Sequence, residues 1–164
     1  MSFEEFSFSK SPSEDIYFIE PNQKYFDSNS KEFIDEINKY SYGYTDKFAM
    51  CRVFKSQSHL ELKSLHISHF NNYVREFYTK NKQRFTNDKY KGLGKLLLKN
   101  ILHYLLLQDS TIINNNVYLE MVNIKNKKLV QFYKDLSFTM IDEDNFSSTI
   151  KNVLEKLTNY PIIF

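Results

Sequence analysis

The sequence predicts an α/β or α+β fold in which helices flank one mixed β-sheet. Strand patterns fill the middle of the chain, and strand and helix patterns alternate after residue 88, which favours a sheet with both parallel and antiparallel pairs. The chain has 164 residues, so we expect a single domain over 1–164. A chain of this length buries a core without disulfides or a structural metal.

Before residue 45, the sequence predicts one short strand and one helix. A loop over Ser9–Asp15 precedes a strand over Ile16–Ile19, and Pro21–Ser30 is predicted to be a turn-rich connection. Ser30 is a favourable N-cap, and apolar residues follow at helical spacing, namely Phe33, Ile34, Ile37 and Tyr40. We expect this helix to end near Gly43.

Two strands are expected in the middle of the chain. Phe48–Phe54 is strand-like, Ser56–Ser58 is turn-like, and the alternation that starts at Leu60 predicts an antiparallel hairpin with the first strand. Asn71–Tyr78 fits a strand or part of a helix, because its periodicity does not decide between them. Thr79–Asp88 is polar and is predicted to be a loop.

The clearest helix is Lys95–Gln108. Its leucines and Ile101 cover most of its circumference, which indicates a helix buried on a sheet. The elements expected after it are a strand over Val117–Val122, a helix over Asn126–Leu136, a strand over Phe138–Ile141, a helix over Phe146–Leu157 and a closing strand over Tyr160–Phe164.

Composition excludes several classes of protein. Lys and Arg number 22 and Asp and Glu 20, a net charge of +2 that argues against a strongly basic nucleic-acid module. Cys51 is the only cysteine, so no intramolecular disulfide or thiolate zinc site can form. The longest apolar stretch, Ile101–Leu107, is interrupted by His103 and is too short for a membrane span. We therefore expect a cytoplasmic protein without a metal, nucleic-acid or membrane partner.

Glycine is rare, and two of the three glycines stand together. Average usage would give about 11 glycines, whereas this chain has Gly43, Gly92 and Gly94. A glycine pair at the start of a helix lets backbone amides point outward, and the helix dipole then favours an anion such as a pyrophosphate. Lys89, Lys91 and Lys95 add positive charge, although an ordinary loop-to-helix turn fits the same residues.

A second pattern lies on the helix predicted over Asn126–Leu136. Asn126 precedes Tyr133 by two helical turns, and the strand VYLEMV comes before both. A tyrosine on an amphipathic helix is most often a core residue with its hydroxyl at the edge. This pattern is therefore weak by itself.

Together, the two patterns resemble the GNAT family of N-acetyltransferases over the C-terminal half of the chain. That family has a glycine-containing pyrophosphate turn, a helix, a strand, and an Asn-x₆-Tyr helix that ends in Gly-Phe. The turn here is Lys89-Tyr90-Lys91-Gly92-Leu93-Gly94, and Ser137-Phe138 stands at the Gly-Phe position. Lys89 replaces Gln or Arg, and Ser137 replaces Gly; neither change removes an amide donor.

The resemblance implies acetyl-CoA as cosubstrate. The cofactor-binding residues would be Lys89, Tyr90, Lys91, Gly92, Leu93, Gly94 and Lys95 at the pyrophosphate, with Asn126 at the pantetheine. Tyr133 would protonate the leaving thiolate as general acid. The GNAT fold also implies a splayed strand pair that accepts the pantetheine arm.

The acceptor amine is less well defined. His59-Leu60-Glu61, KYKGLGKLLL and FYKDLSF resemble segments of glucosamine-6-phosphate N-acetyltransferases, enzymes of amino-sugar metabolism on the route to UDP-GlcNAc. Their strand carries Asp where Leu62 stands here, and 68–88 has the character of an insertion. This resemblance implies glucosamine 6-phosphate as acceptor and a homodimer.

Alternatives stay open for the acceptor and the base. A second possible function is a protein or peptide acetyltransferase that acts on an N-terminus or a lysine. A third, from another class, is a catalytically inactive acyl-CoA-binding subunit. Glu61 and Glu120 are candidate general bases, but either also fits a surface carboxylate. His59, Glu61, Lys125 and Arg84 are the candidate substrate-binding residues.

Overall fold

The structure, a computed structural model, describes residues 3–40, 47–63, 92–120 and 127–164. Within these ranges, seven strands form one sheet in the order β1-β2-β3-β4-β5-β7-β6. The strands are β1 (Phe6–Lys10), β2 (Ile16–Pro21), β3 (Ala49–Lys55), β4 (His59–Lys63), β5 (Asn116–Glu120), β6 (Thr139–Met140) and β7 (Asn145–Thr149). The helices are α1 (Gln23–Ser28), α2 (Lys31–Tyr40), α3 (Leu93–Gln108), α4 (Lys127–Asp135) and α5 (Ile150–Glu155), with a 3₁₀ helix over Ser110–Asn114.

The sheet is mixed, as the sequence predicted. In the described residues, β4 and β5 are the one parallel pair, with His59 opposite Asn116, and every other neighbouring pair is antiparallel. Parallel neighbours need a crossover connection, and α3 lies in the connection between β4 and β5. The α+β class and the helices around a central mixed sheet are therefore confirmed.

One face of the sheet forms the core. Side chains alternate along each strand, and the inward set includes Ile19, Cys51, Val53, Val117 and Phe146, which are all buried. Helix α3 packs on β2 and β3. Its leucines 96, 97 and 98 are fully buried, as the apolar circumference of this helix predicted.

The opposite face of β4, β5 and β7 carries polar side chains. His59 and Glu61 on β4 alternate with buried Leu60, while Tyr118 on β5 alternates with buried Val117. The register places Glu61 directly opposite Tyr118. This alternation gathers polar groups from three strands on one surface.

The hairpin of β3 and β4 and the start of helix α2 agree with the sequence pattern. Ser30 caps α2, because its Oγ accepts a hydrogen bond from the Phe33 amide at 3.1 Å. β3 pairs antiparallel with β4, as predicted. The expected end of α2 near Gly43 and the segments Asn71–Tyr78, Thr79–Asp88 and 68–88 lie outside the described residues.

Two predictions at the N-terminal end are wrong. Residues Phe6–Lys10 form strand β1, which includes part of the predicted loop Ser9–Asp15. Helix α1 lies inside the predicted turn-rich connection Pro21–Ser30, and Asn22 caps it by accepting from the Tyr25 amide. Short elements such as these carry too few residues for a periodic pattern to stand out.

The helix predicted over Phe146–Leu157 is also wrong in its first part. Residues Asn145–Thr149 form β7, where Phe146 and Ser148 point into the core and their neighbours point away. Only Ile150–Glu155 is helical, and Thr149 caps it by accepting from the Asn152 amide at 3.1 Å. Serine and threonine beside apolar residues fit the spacing of a helix and also that of a strand. The pairing of this segment with β5 therefore decides its secondary structure.

The closing strand predicted over Tyr160–Phe164 does not form. This segment pairs with no strand of the described sheet and instead lies along α3. None of the helices in the described ranges combines the length and the apolar character that a membrane span requires.

Candidate functional site

Helix α3 begins at a glycine that no side chain caps. Gly92 has φ +84° and ψ +5°, in the left-handed region that glycine adopts without a Cβ penalty. The Leu96 amide donates to the Gly92 carbonyl at 3.0 Å. The amides of Leu93, Gly94 and Lys95 come before that bond, where a helix leaves its donors without an intrahelical partner. The helix start thus has three amides without an intrahelical partner at the positive end of the helix dipole; Leu93 and Gly94 are buried, and Lys95 is partly exposed.

Tyr160 packs against this turn. A Cβ on Gly92 would lie 3.1 Å from the Tyr160 Oη and 3.2 Å from its Cε1. Both distances are shorter than ordinary van der Waals contact, so any larger residue at position 92 must displace the tyrosine ring. Glycine is therefore required here for close approach as well as for its φ angle.

A cation–π contact joins the start of α3 to α4. The Lys95 Nζ lies 5.9 Å from the centre of the Phe132 ring. Phe132 and Tyr133 are adjacent, and their rings are 5.2 Å apart. The two sequence patterns, far apart in the chain, therefore meet in space.

Tyr133 is buried among aromatic side chains. Its exposed fraction is 5%, and its ring lies 5.9 Å from Phe138 and 6.2 Å from Phe146. Burial, with a smaller contribution from nearby Cys51, raises the pKa of Tyr133 above its ordinary value. The phenol is therefore neutral at pH 7 and carries the proton that a general acid needs, although the same burial suits a core tyrosine.

Helix α4 ends in a left-handed cap just after Tyr133. The amides of Leu136 and Phe138 both donate to the Tyr133 carbonyl at 3.1 Å, and Ser137 has φ +68°. This arrangement is a Schellman-type C-cap, in which glycine is the preferred residue. Ser137 therefore takes a left-handed backbone conformation at a position where glycine is preferred.

The polar face of β4, β5 and β7 forms a groove of about 530 Å³. Three carboxylates line it, those of Glu61, Glu120 and Asp142, and no lysine or arginine is among the described residues of its lining. The remaining lining residues are His59, Tyr118, Leu119, Ile141 and Asn145. The described lining of the groove is therefore acidic.

A chain of polar contacts orients His59 and Glu61 within the groove. The Ser56 Oγ is 2.7 Å from His59 Nδ1, and His59 Nε2 is 3.3 Å from Glu61 Oε1. A neutral imidazole with its proton on Nε2 satisfies both contacts, since Nδ1 then accepts and Nε2 donates. The Tyr118 ring meets the imidazole edge-to-face at 5.3 Å.

Asp142 is held in the ionised form. Its carboxylate accepts from the backbone amide of Asp144, from the side-chain amide of Asn145 and from the backbone amide of Asn145, at about 3 Å each. These hydrogen bonds, that from Asp144 foremost, lower the pKa of Asp142. One wall of the groove is therefore negative at neutral pH.

The described strands separate the candidate catalytic residues. Glu61 and Glu120 lie on the groove face, whereas Tyr133 packs on Phe146 of the core face. Only a group that passes between β4 and β5 could meet both. The paired part of these strands ends at Leu62 and Leu119, and the segments that follow lie outside the described residues.

The structure brings together some predicted site residues but not all. Gly92, Leu93, Gly94, Lys95 and Tyr133 form one group, and His59, Glu61 and Glu120 form the other. Lys89, Tyr90, Lys91, Asn126, Lys125 and Arg84 lie outside the described residues. Sequence reasoning missed Tyr118, Asp142, Asn145 and Tyr160; the alternation of β5 could have indicated Tyr118, but the other three are placed by tertiary contacts.

Comparison of the chain with protein-family models gave no match, and comparison with curated proteins gave none either. The described residues contain no group of three or more His, Cys, Asp or Glu side chains arranged to hold a metal ion.

Proposed function

We propose that this chain is an acetyl-CoA-dependent N-acetyltransferase of the GNAT type. The observation that carries the proposal is the meeting of two motifs. A helix start with a left-handed glycine contacts, through Lys95 and Phe132, the helix that bears Tyr133. Acetyl-CoA carries a pyrophosphate at one end of its pantetheine arm and a thioester at the other, so it needs an anion site and, an arm's length away, a proton donor.

The order of elements supports the proposal. The GNAT resemblance implies a pyrophosphate turn, a helix, a strand and a tyrosine-bearing helix, and the chain has Gly92, α3, β5 and α4 in that order. The resemblance implies a splayed strand pair, and we assign that role to β4 and β5, which in the described residues pair in parallel from His59 opposite Asn116 to Leu62 opposite Leu119. A pantetheine arm between them would be reached from both faces of the sheet, which accounts for candidate residues on opposite faces.

The residues then take separate roles. The amides of Leu93, Gly94 and Lys95 bind the pyrophosphate, and the Lys95 ammonium adds a charge-assisted contact. The acceptor amine attacks the thioester carbonyl, the C–N bond forms, and the C–S bond breaks. Tyr133 gives its proton to the departing thiolate, and the amine's proton goes to Glu61, Glu120 or a water that they hold.

The resemblance of His59-Leu60-Glu61 makes glucosamine 6-phosphate the first acceptor to test. Its amine is positively charged before reaction and suits the three carboxylates of the groove. Its phosphate requires a cation outside the described lining, and Lys125 and Arg84 are the sequence candidates for that contact. The same resemblance implies a homodimer, which is part of this proposal. Analytical ultracentrifugation measures the oligomeric state.

A protein or peptide amine is the second candidate acceptor. The groove crosses three strands and is lined by the carboxylates of Glu61, Glu120 and Asp142. Such a surface favours a cationic, extended substrate over an anionic one by simple charge complementarity. A lysine side chain or a free N-terminus carries that charge.

Calorimetry with acetyl-CoA tests the cofactor assignment. Lys95→Gln should weaken binding, since it removes one charge-assisted hydrogen bond worth about 1.5–3 kcal/mol. Lys151→Gln is the matched control. Lys151 is exposed on α5, and its replacement makes the same change of charge away from the turn. A wild-type protein without affinity for acetyl-CoA contradicts the proposed function.

Thiol release from acetyl-CoA identifies the acceptor. Glucosamine 6-phosphate, glucosamine and a short peptide with a free N-terminus are compared at equal concentration. Fastest release with the phosphosugar supports the first acceptor, and fastest release with the peptide supports the second. Tight binding of acetyl-CoA without release by any amine would instead indicate an acyl-CoA-binding subunit.

A further inference from the structure

The segment Tyr160–Phe164 is tied to α3 by one buried side chain. Asn100 has an exposed fraction of 0%. Its Nδ2 donates to the Leu96 carbonyl at 2.8 Å and to the Pro161 carbonyl at 3.1 Å, and its Oδ1 accepts from the Ile163 amide at 2.8 Å. A fully buried amide that makes three hydrogen bonds, two of them to the segment, holds that segment in one register against the helix.

This register brings Tyr160 against Gly92. The side chain of Tyr160 occupies the space that a side chain on Gly92 would need, with its Oη 3.1 Å and its ring Cε1 3.2 Å from that Cβ position. Phe3 supports the ring from another direction, with the two ring centres 5.7 Å apart. The ring is therefore held by both neighbours, and it limits where the Gly92 turn can lie.

The far end of the segment is held separately. Phe164 contacts Phe8 at 5.4 Å and Tyr104 at 5.9 Å between ring centres. Tyr104 lies three turns along α3 from Gly92. Loss of the Phe164 ring thus weakens the segment without touching the turn, which makes it a matched control.

We propose that Tyr160 is a positioning residue for the cofactor turn. Its ring, placed by Asn100, fixes the Gly92 backbone so that the amides of Leu93, Gly94 and Lys95 converge on one phosphate group. The inference rests on the proposed function, and it adds a segment that the resembling motifs do not include. The hydroxyl oxygen contributes to this role together with the ring, because the Tyr160 Oη lies 3.1 Å and the ring Cε1 3.2 Å from the Cβ position of Gly92.

The test compares two acetyl donors that differ at the phosphate end. Acetyl-CoA carries the pyrophosphate, and S-acetylpantetheine lacks it. Tyr160→Ala should lower kcat/KM for acetyl-CoA by roughly 10- to 100-fold, as expected for a misplaced binding group, and leave kcat/KM for S-acetylpantetheine unchanged. Tyr160→Phe keeps the ring and loses only the Oη contact, so its loss with acetyl-CoA should be smaller than that of Tyr160→Ala, with S-acetylpantetheine again unchanged.

Two further variants separate positioning from general stability. Asn100→Ala should speed hydrogen exchange at the Ile163 amide and reproduce the donor-specific loss of Tyr160→Ala. Phe164→Ala should leave kcat/KM for acetyl-CoA near the wild-type value. Dissociation constants of CoA, measured by calorimetry for the same set, should follow the same order.

The outcomes distinguish this inference from the proposed function. Equal losses with both donors in Tyr160→Ala would mean a purely structural role and would overturn the inference. An unchanged acetyl-CoA value in Tyr160→Ala would also overturn it, as would a defect in Tyr160→Phe as large as that in Tyr160→Ala, because the ring would then contribute nothing. A wild-type protein that neither binds CoA nor uses acetyl-CoA would contradict the proposed function itself.

Discussion

At the scale of single residues, the neighbours of Tyr133 define two roles that one substitution can separate. Phe138 and Phe146 pack on its ring, and burial keeps the phenol protonated. A core role needs the ring alone, whereas a general acid needs the hydroxyl. Replacement by phenylalanine removes the hydroxyl and keeps the ring.

Tyr133→Phe should reduce turnover by roughly 10²- to 10⁴-fold, the range for loss of a general acid, while the dissociation constant of acetyl-CoA stays within a factor of about three. Steady-state kinetics and calorimetry measure the two quantities. Tyr104→Phe makes the same atomic change on α3 and should not alter turnover. Wild-type turnover in Tyr133→Phe, with chemistry rate-limiting, would leave the tyrosine a core role only.

Ser137 carries backbone strain that a single substitution can relieve. Its φ of +68° costs an L-residue free energy that glycine does not incur. Ser137→Gly should raise the free energy of unfolding by about 0.5–1 kcal/mol, since the relieved strain exceeds the added chain entropy. Urea denaturation measures this, and Ser137→Val should lower the stability; a less stable Ser137→Gly protein would contradict the cap assignment.

At the scale of elements, the start of α3 meets a structural demand and, in the proposed function, a binding demand as well. Gly92 takes a left-handed backbone conformation and lets Tyr160 approach, and the amides that follow it are the proposed anion site. A large residue at position 92 therefore disturbs folding as well as binding, so loss of acetyl-CoA affinity in such a variant does not isolate the anion site. Lys95→Gln is the cleaner probe of that site.

Gly92→Ala should lower the free energy of unfolding by about 1–2 kcal/mol from the left-handed backbone alone, with an added cost from the contact with Tyr160. The double variant Gly92→Ala with Tyr160→Ala removes the contact and keeps the backbone strain. Denaturation of the single and double variants gives the coupling between the two sites. Strictly additive effects would show that the close contact carries no energy.

At the scale of the whole molecule, the burial of one thiol and two phenols should make the free energy of unfolding fall at alkaline pH. Burial raises the pKa of Cys51 to about 12, and it also raises the pKa values of Tyr17 and Tyr133. In each case the folded pKa lies above the unfolded one. The stabilisation is therefore complete below the unfolded pKa and is lost as pH rises.

The free energy of unfolding should begin to fall near pH 9, where an unfolded cysteine ionises. It should fall more steeply above pH 10 as the unfolded tyrosines ionise, by up to about 1.4 kcal/mol per pH unit for each group. Urea titrations between pH 7 and pH 11 measure the slope. Cys51→Ala should remove the part that begins near pH 9, and a flat profile would contradict the burial of these groups.

The sequence could predict the elements that have a long or strong pattern. The leucine-rich α3, the Ser30 cap of α2 and the hairpin of β3 with β4 all follow from local periodicity and capping. The glycine turn at Gly92 was visible for the same reason, since a rare residue stands where a helix starts. The alternation of β4 likewise placed His59 and Glu61 on one face.

Local patterns could not supply what depends on contacts between distant residues. Asn145–Thr149 became a strand because β5 and β6 flank it, and Tyr160–Phe164 became an extended segment because Asn100 binds its backbone. The groove has the same origin, because Asp142 and Asn145 join Glu61 only when β7 pairs with β5.

The sequence by itself determined the class of fold, the glycine at the start of α3 and the tyrosine on α4, because each depends on residues near one another in the chain. Only the tertiary structure decided that Lys95 reaches Phe132, that Tyr160 packs on Gly92, and that the carboxylates and Tyr133 lie on opposite faces. These relations arise when strand register and helix packing bury the apolar face of the sheet. Burial is a property of the whole chain, so no short segment of it carries that information.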